Sequence, residues 1–343
     1  MSRKNIIFFA LSLLLILGIF LSLALGSVSI PFVELFKALF GFETKEVVQS
    51  TIVWQLRMPR TLAAMLAGAA LSISGLLMQT FFRNPIAGPF VLGISSGAGL
   101  GAAIWIMGAG LLVQWGLIST ASLYGSWALV LSACMGAALV LIILLLVSRR
   151  MPDVNTLLIL GLMLGSSVSA LVMILQFFSG KQELQRFILW SMGDLGSLTW
   201  QELSILSPIV SIAIFFALLL AQPLNAMLLG ETYARSLGVS VNQLRRQIII
   251  ITAILAGSIT AFCGPIAFVG IAVPHIARLL WRTQRHQTLI GGSLLLGMLV
   301  LLYCQLLAQL PLKDNILPIN AVTSLLGAPI VIWIVISIRQ TNR

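Results

Sequence analysis

The sequence predicts an all-α membrane protein, a single polytopic domain over residues 1–343 with about ten transmembrane helices, short interfacial and coupling helices, and both termini cytoplasmic. Three observations carry that prediction. Only 8% of the residues are charged while 59% are hydrophobic, at a mean hydropathy of +1.08, whereas soluble domains carry about 25% charged residues. The apolar residues gather in runs of bilayer-crossing length, about 20 residues. The charges between those runs sort by side. A soluble enzyme, a disordered chain and a disulfide scaffold are excluded. Cys134, Cys263 and Cys304 each lie in an apolar run and read as small buried hydrophobes.

The apolar segments run over 5–27, 61–82, 92–112, 125–147, 156–178, 203–221, 247–263, 266–281, 289–308 and 318–338. The first follows Arg3 and Lys4 as a signal peptide would, but its apolar core is too long and no small-x-small cleavage site follows cleanly, so it reads as a span. The seventh and eighth form one run too long for a single crossing; Gly264-Pro265 near its middle predicts a turn between two short spans. Outside, residues 28–60 read as a loop holding a short interfacial helix from Phe32 to Phe40. Inside, residues 222–246 form the longest loop, and Asn84 and Pro85 end the second span.

With the N-terminus inside, thirteen of the twenty basic residues but two of the nine acidic ones fall on the inner side, and the outer loops balance seven against seven. The whole net charge of +11 belongs to one face. That is the positive-inside bias of a multi-pass protein, and it removes the need for a nucleic-acid partner.

Catalytic and metal chemistry is absent from the pattern. Every Asp, Glu, Lys and Arg can be placed in a loop or at a helix end, so no mid-membrane charge marks an ion-coupled carrier or an intramembrane protease. His275 and His286 lack metal-site spacing and read as interfacial or helix-capping. The only Gly-Lys, Gly180-Lys181, is no P-loop. Neither a cofactor nor a nucleotide site is expected; uphill transport would need a separate ATPase subunit.

The residues then carry a resemblance. Leu56-Arg57-Met58-Pro59-Arg60-Thr61-Leu62 leads into Gly68-Ala69-Ala70-Leu71-Ser72-Ile73-Ser74-Gly75. Arg83-Asn84-Pro85-Ile86-Ala87-Gly88-Pro89 and Leu92-Gly93-Ile94-Ser95-Ser96-Gly97-Ala98 follow. Then come Ala234-Arg235-Ser236-Leu237-Gly238, Gly264-Pro265-Ile266-Ala267-Phe268-Val269-Gly270, Pro274-His275-Ile276-Ala277-Arg278, Leu317-Pro318-Ile319-Asn320 and Gly327-Ala328-Pro329. Together, and in this order over nearly the whole chain, they resemble the FecCD-type permeases of bacterial ABC importers for ferric siderophores, haem and cobalamin. The resemblance implies a homodimer in the bacterial inner membrane with its path on the twofold axis, two cytoplasmic ATPase subunits and a periplasmic binding protein.

It also implies roles for single residues. Arg57 and Arg60 would dock the binding protein through its glutamates, since bidentate arginine–carboxylate pairs give attraction and register; as residues alone they could equally be snorkelling anchors. The family often has a further arginine before the last outer loop, where this chain has Gln309, and Lys313 would take that role. The segment 228–239, with Gly230, Glu231, Ala234, Arg235, Leu237 and Gly238, would be the ATPase-coupling helix rather than a plain surface loop. Ala234 and Gly238, four apart, would leave one helical face nearly bare, although Gly238 could equally be a C-cap. Glu231 and Arg235 have pairing distance along a helix. Val154 and Asn155 match the cytoplasmic gate of the cobalamin member by position; an ordinary helix start capped by Asp153 fits as well. Ferric siderophore is the first expected substrate, with cobalamin and haem behind it. A gradient-driven carrier and a membrane-embedded enzyme are the competing classes.

Overall fold

Every apolar segment of the sequence becomes a helix. The computed structural model describes residues 3–26, 28, 30–42, 47–114, 126–148, 154–309 and 316–341, with no strand among them. In chain order the helices are α1 (Arg3–Ala24), α2 (Phe32–Phe40), α3 (Val47–Thr51), α4 (Met58–Phe81), α5 (Ile94–Gln114), α6 (Ser126–Ser148) and α7 (Val154–Phe178). They continue as α8 (Lys181–Ser191), α9 (Trp200–Leu219), α10 (Ala221–Leu228), α11 (Glu231–Ser236), α12 (Val241–Cys263), α13 (Val269–Trp281), α14 (His286–Gln309) and α15 (Ile319–Thr341). Among the described residues seven helices are long and apolar enough to cross a bilayer, and three apolar stretches, Ile94–Gly108, Val269–Trp281 and Ile319–Ile334, are shorter.

The expected interfacial helix is α2, with the expected ends. Pro31 precedes it, Glu34 in its first turn pairs with Lys37 at 3.0 Å, and Gly41 ends it in the left-handed conformation. Leu35 and Ala38 turn inward with Leu23, Ile30 and Val53, while Phe32, Val33, Phe36 and Phe40 stay exposed. An apolar face left open in this way suits the bilayer boundary.

The rest of the outer segment departs from the sequence reading. Instead of a loop up to residue 60, the chain from Val48 to Phe81 is one continuous helix of 34 residues. A π-helical stretch, Ile52–Arg57, joins α3 to α4. Pro59 supplies a physical reason: it has no N–H, and its ring would press on the carbonyl four residues back in an α-helix, so the turns before it widen. Arg57 and Arg60 therefore lie inside a continuous helix rather than in a loop, against the expectation that every charge sits in a loop or at a helix end. Arg278 keeps to that expectation, in the last turn of α13.

The upper run is mostly exposed, but α4 itself is the axis of the bundle and 83% of its apolar window is buried. It packs against α14, α12, α13 and α9. Small residues let it approach backbone to backbone. A Cβ on Gly68 would overlap the Gly297 carbonyl of α14, and one on Gly75 would overlap the Gly270 carbonyl of α13. Between these points the Ser72 hydroxyl lies 2.8 Å from the Ser293 carbonyl of α14.

The long seventh-to-eighth run breaks where expected. Helix α12 ends at Cys263, and Gly264 (φ 73) and Pro265 begin an irregular connection to α13. Helix α13 has only 13 residues, about 20 Å of rise, so alone it is shorter than a bilayer's hydrocarbon core. Irregular backbone survives in a membrane only where protein satisfies it. Here the Ala267 N–H donates to Asn320 Oδ1 at 3.0 Å, and the Cys263 carbonyl accepts from the Asp194 N–H at 2.8 Å.

Gly75→Val should destabilise the protein by about 3 kcal/mol or more, because the atoms it would strike are all backbone atoms of Gly270. Gly291→Ala, whose nearest neighbour would be the Phe8 ring at 3.8 Å, should be tolerated. Unfolding midpoints of the two variants in one detergent check this; equal midpoints would show that α4 is not the tight axis.

Candidate functional site

The structure concentrates polar side chains at the two ends of the bundle. At the end of the bundle expected to face outward, the π-helical stretch carries Arg57 toward the interior, where it is buried. Its Nη1 donates to the carbonyls of Leu23 (2.6 Å) and Ala24 (2.9 Å), and its Nη2 to the Val28 carbonyl. These are carbonyls at and just beyond the end of α1, which the helix itself leaves without partners. A guanidinium satisfies several at once and favours the negative end of the helix dipole. Thr61 extends the clamp, donating to the Arg57 carbonyl and meeting Ser22 Oγ at 2.8 Å.

Arg60 is placed differently. It is half-buried against Gly196, with the Asp194 carboxylate supplying the nearby opposite charge, and its Nε has no hydrogen-bond partner. Asp194 itself accepts from the Gly196 N–H at 2.7 Å. Of the two outer arginines, then, one is committed to its own chain and one keeps donor capacity. Lys313 lies outside the described residues.

At the inner end the loop between α9 and α12 forms two short helices, α10 and α11, where the sequence reading had a single coupling helix. Gly230 links them at φ 110, a backbone that side chains rarely adopt. Glu231 pairs with Arg235 at 3.9 Å as its spacing suggests, but the closer partner is Arg245 of α12 at 2.6 Å. That bond ties α11 to the start of a long membrane helix. Leu237 is the C-cap and Gly238 the left-handed residue just after it: the Gly238 N–H donates to the Arg235 carbonyl, the Val239 N–H to the Ala234 carbonyl, and φ of Gly238 is 82. This is the two-bond Schellman arrangement. The bare face expected from Ala234 and Gly238 is not there, because Ala234 is fully buried against its own chain. The exposed residues of α10, α11 and their flanks include four large apolar ones, Leu228, Leu229, Tyr233 and Leu237, beside the polar Gln222, Thr232, Arg235 and Ser236.

Val154 and Asn155 open α7, and their side chains lie outside the described residues. A polar network beside α10 was not legible in the sequence. Asn225 Oδ1 accepts from the His286 backbone N–H at 2.8 Å and meets His286 Nδ1 at 2.9 Å, capping α14 from another helix. His286 Nε2 meets Thr80 Oγ1 at 2.9 Å, and an imidazole protonated at Nδ1 satisfies both contacts. Gln79 receives a hydrogen bond from Arg278 Nη1 and donates to the Ile271 carbonyl at 3.0 Å. His286 is thus the capped residue at the start of α14, not the cap its position suggested, and its partners are 61 and 206 residues away. No local spacing signals such pairs.

Comparison with known proteins follows this geometry closely. The sequence profile of the FecCD transport family matches residues 14–337. The vitamin B12 import system permease protein BtuC of Klebsiella pneumoniae subsp. pneumoniae is 37% identical over 332 residues, covering 96% of this chain and 93% of the relative. Its namesake from Salmonella typhi is 39% identical over 284 residues, covering 83% of each chain. Among solved structures, an inward-facing conformation of a transporter assigned to the metal-chelate ABC type superposes with a TM-score of 0.83 at 28% identity, covering 97% of this chain and 99% of the other.

Arg57→Lys keeps the charge but not the forked reach, leaving carbonyls of α1 without partners. It should lower stability by about 1–3 kcal/mol, whereas Arg60→Lys should change it little. Thermal unfolding of the two variants side by side checks this; equal losses would remove the clamp reading.

Proposed function

The chain belongs to the FecCD transport family, and from that premise we propose that it is the permease subunit of an ABC importer that carries a cobalamin-type corrinoid across the bacterial inner membrane. One observation supports the substrate above others: the full-length likeness to permeases named for vitamin B12. This reverses the order expected from the sequence, which put ferric siderophore first. Ferric siderophore is the second reading, favoured by the likeness to a metal-chelate transporter. In this reading the chain makes ten crossings with both termini cytoplasmic, pairs with a second copy of itself, and takes its energy from two ATPase subunits.

The inner surface supports the energy coupling. Helices α10 and α11 stand beyond the membrane-crossing helices yet leave Leu228, Leu229, Tyr233 and Leu237 exposed. Clustered apolar side chains outside a bilayer mark a protein partner. We assign that partner as the ATPase, with Gly230 and Gly238 setting the shape of α11 and Glu231, held by Arg245, transmitting its movement to α12. Ala234 and Arg235 serve the same element from its buried and exposed sides, and Leu237 contributes to the contact. At the outer face Arg60 offers donors to carboxylates of the binding protein, Arg57 holds the end of α1 beside it, and Lys313 adds a third positive charge. Val154 and Asn155 are assigned to the cytoplasmic gate.

The test is uptake by proteoliposomes holding this protein and its ATPase, with the binding protein outside and ATP inside. Labelled cyanocobalamin should accumulate only with ATP, and a ferric siderophore should not compete. Competition by the siderophore would favour the second reading, and uptake that survives without ATP but collapses with an ionophore would overturn both.

Two substitutions probe the contacts. Gly238→Val, strained at φ 82, should uncouple ATP hydrolysis from uptake while the membrane helices stay folded. Arg60→Glu should weaken docking of the binding protein by about tenfold or more, equivalent to about 1.4 kcal/mol, with a smaller loss at high salt. Normal coupling in the first variant, or unchanged docking in the second, would remove the role assigned to that residue.

A further inference from the structure

A cavity of about 340 Å³ opens between the inner ends of α4, α10, α13 and α14. Two guanidinium groups, Arg83 and Arg278, and the imidazoles of His275 and His286 line it, and no carboxylate does. Arg278 stands in the last turn of an apolar helix and donates to a neutral amide, Gln79 Oε1. Arg83 lies in the turn after α4 with left-handed backbone (φ 47), and it reaches the Met227 carbonyl only at 3.5 Å. Neither arginine forms an ion pair among the described residues. Glu231, which shares the adjoining groove with Arg83, is already held by Arg245 and Arg235.

Two cations facing one partly desolvated cavity without a counter-charge are unfavourable until an anion enters. The walls are preorganised, since Gln79 is fixed by its bond to Ile271 and His286 by its bonds to Asn225 and Thr80. Guanidinium forks match phosphate oxygens. The cavity also lies at the end of α4, among the last turns of α10 and α13 and the first of α14, and Leu228 in its wall is exposed and offers apolar surface. Basic pockets between membrane helices on the cytoplasmic side suit anionic lipid headgroups.

We propose that this cavity binds a phosphate group, and that its source is the headgroup of an anionic phospholipid of the inner leaflet. The site does not depend on which substrate the permease carries.

The test is native mass spectrometry of the purified full-length protein offered phosphatidylglycerol or phosphatidylcholine, with thermal unfolding in inorganic phosphate as a parallel arm. Phosphatidylglycerol should be retained at least several-fold better than phosphatidylcholine. Retention should fall in Arg83→Gln, fall to the phosphatidylcholine level in Arg83→Gln/Arg278→Gln, and stay unchanged in Arg246→Gln, an exposed arginine away from the cavity. Because Arg83 is exposed, its single variant keeps the test valid should the double variant not fold. Inorganic phosphate that raises the unfolding midpoint in the wild type but not in Arg83→Gln, and displaces the lipid, would uphold the phosphate chemistry with a soluble source. Equal retention of the two lipids with no effect of phosphate would overturn the proposal, as would phosphatidylglycerol retention untouched by Arg83→Gln. Binding of neither probe, with these arginines protected only when the ATPase subunit is added, would overturn it too and assign the cavity to the subunit interface.

Discussion

Between helices in a bilayer the hydrophobic effect no longer distinguishes a neighbouring helix from lipid, so association rests on close packing and on interhelical hydrogen bonds. In this protein that constraint falls on α4. Gly68 and Gly75 bring its backbone against α14 and α13, and Ser72 adds a hydrogen bond to the Ser293 carbonyl between them. Helices α1, α9, α12, α13 and α14 pack on this buried axis, α5 and α6 join through α12, and α7 packs on α5. Because the contacts are backbone to backbone, a shift of α4 must move α13 and α14 with it.

Both ends of that axis carry polar devices. Above, the π-helical stretch hands Arg57 to the end of α1, so the first membrane helix is held by a side chain of the second. Below, Gln79 and Thr80 in the last turn of α4 meet Arg278 of α13 and His286 of α14. Asn225 of α10 joins the same network through His286. Helices α10 and α11 are therefore bonded at two places, through Asn225 to α14 and through Glu231 to α12. A load applied to the exposed leucines of α10 and α11 has a polar path into the membrane bundle, without a mid-membrane charge to bear it.

The break between α12 and α13 shows the same economy. A short helix and an irregular link follow α12, and Asn320 and Asp194 supply hydrogen-bond partners there. The link residues Gly264 and Phe268 both have positive φ, and a Cβ on Gly327 of α15 would press on the Phe268 side chain. The outer ends of α8, α12 and α15 are thereby locked to one another by local geometry instead of by charge.

The amino-acid sequence by itself determined the class of protein, the ten apolar segments, the break at Gly264-Pro265 and the interfacial helix Phe32–Phe40. Each depends on composition or on periodicity within some twenty residues, and the absence of water in the bilayer makes that local signal strong. The order of its motifs also pointed to the family. Only the tertiary structure decided that Arg57 turns inward, that Ala234 is buried, and that Glu231 answers to Arg245 more closely than to Arg235. It alone assembled Gln79, Arg278, His286 and Asn225 at one end of the bundle. A polar side chain near a helix end finds its partner on whichever helix packs beside it. In this chain that neighbour lies up to some two hundred residues away, and the packing of small residues along α4 selects it.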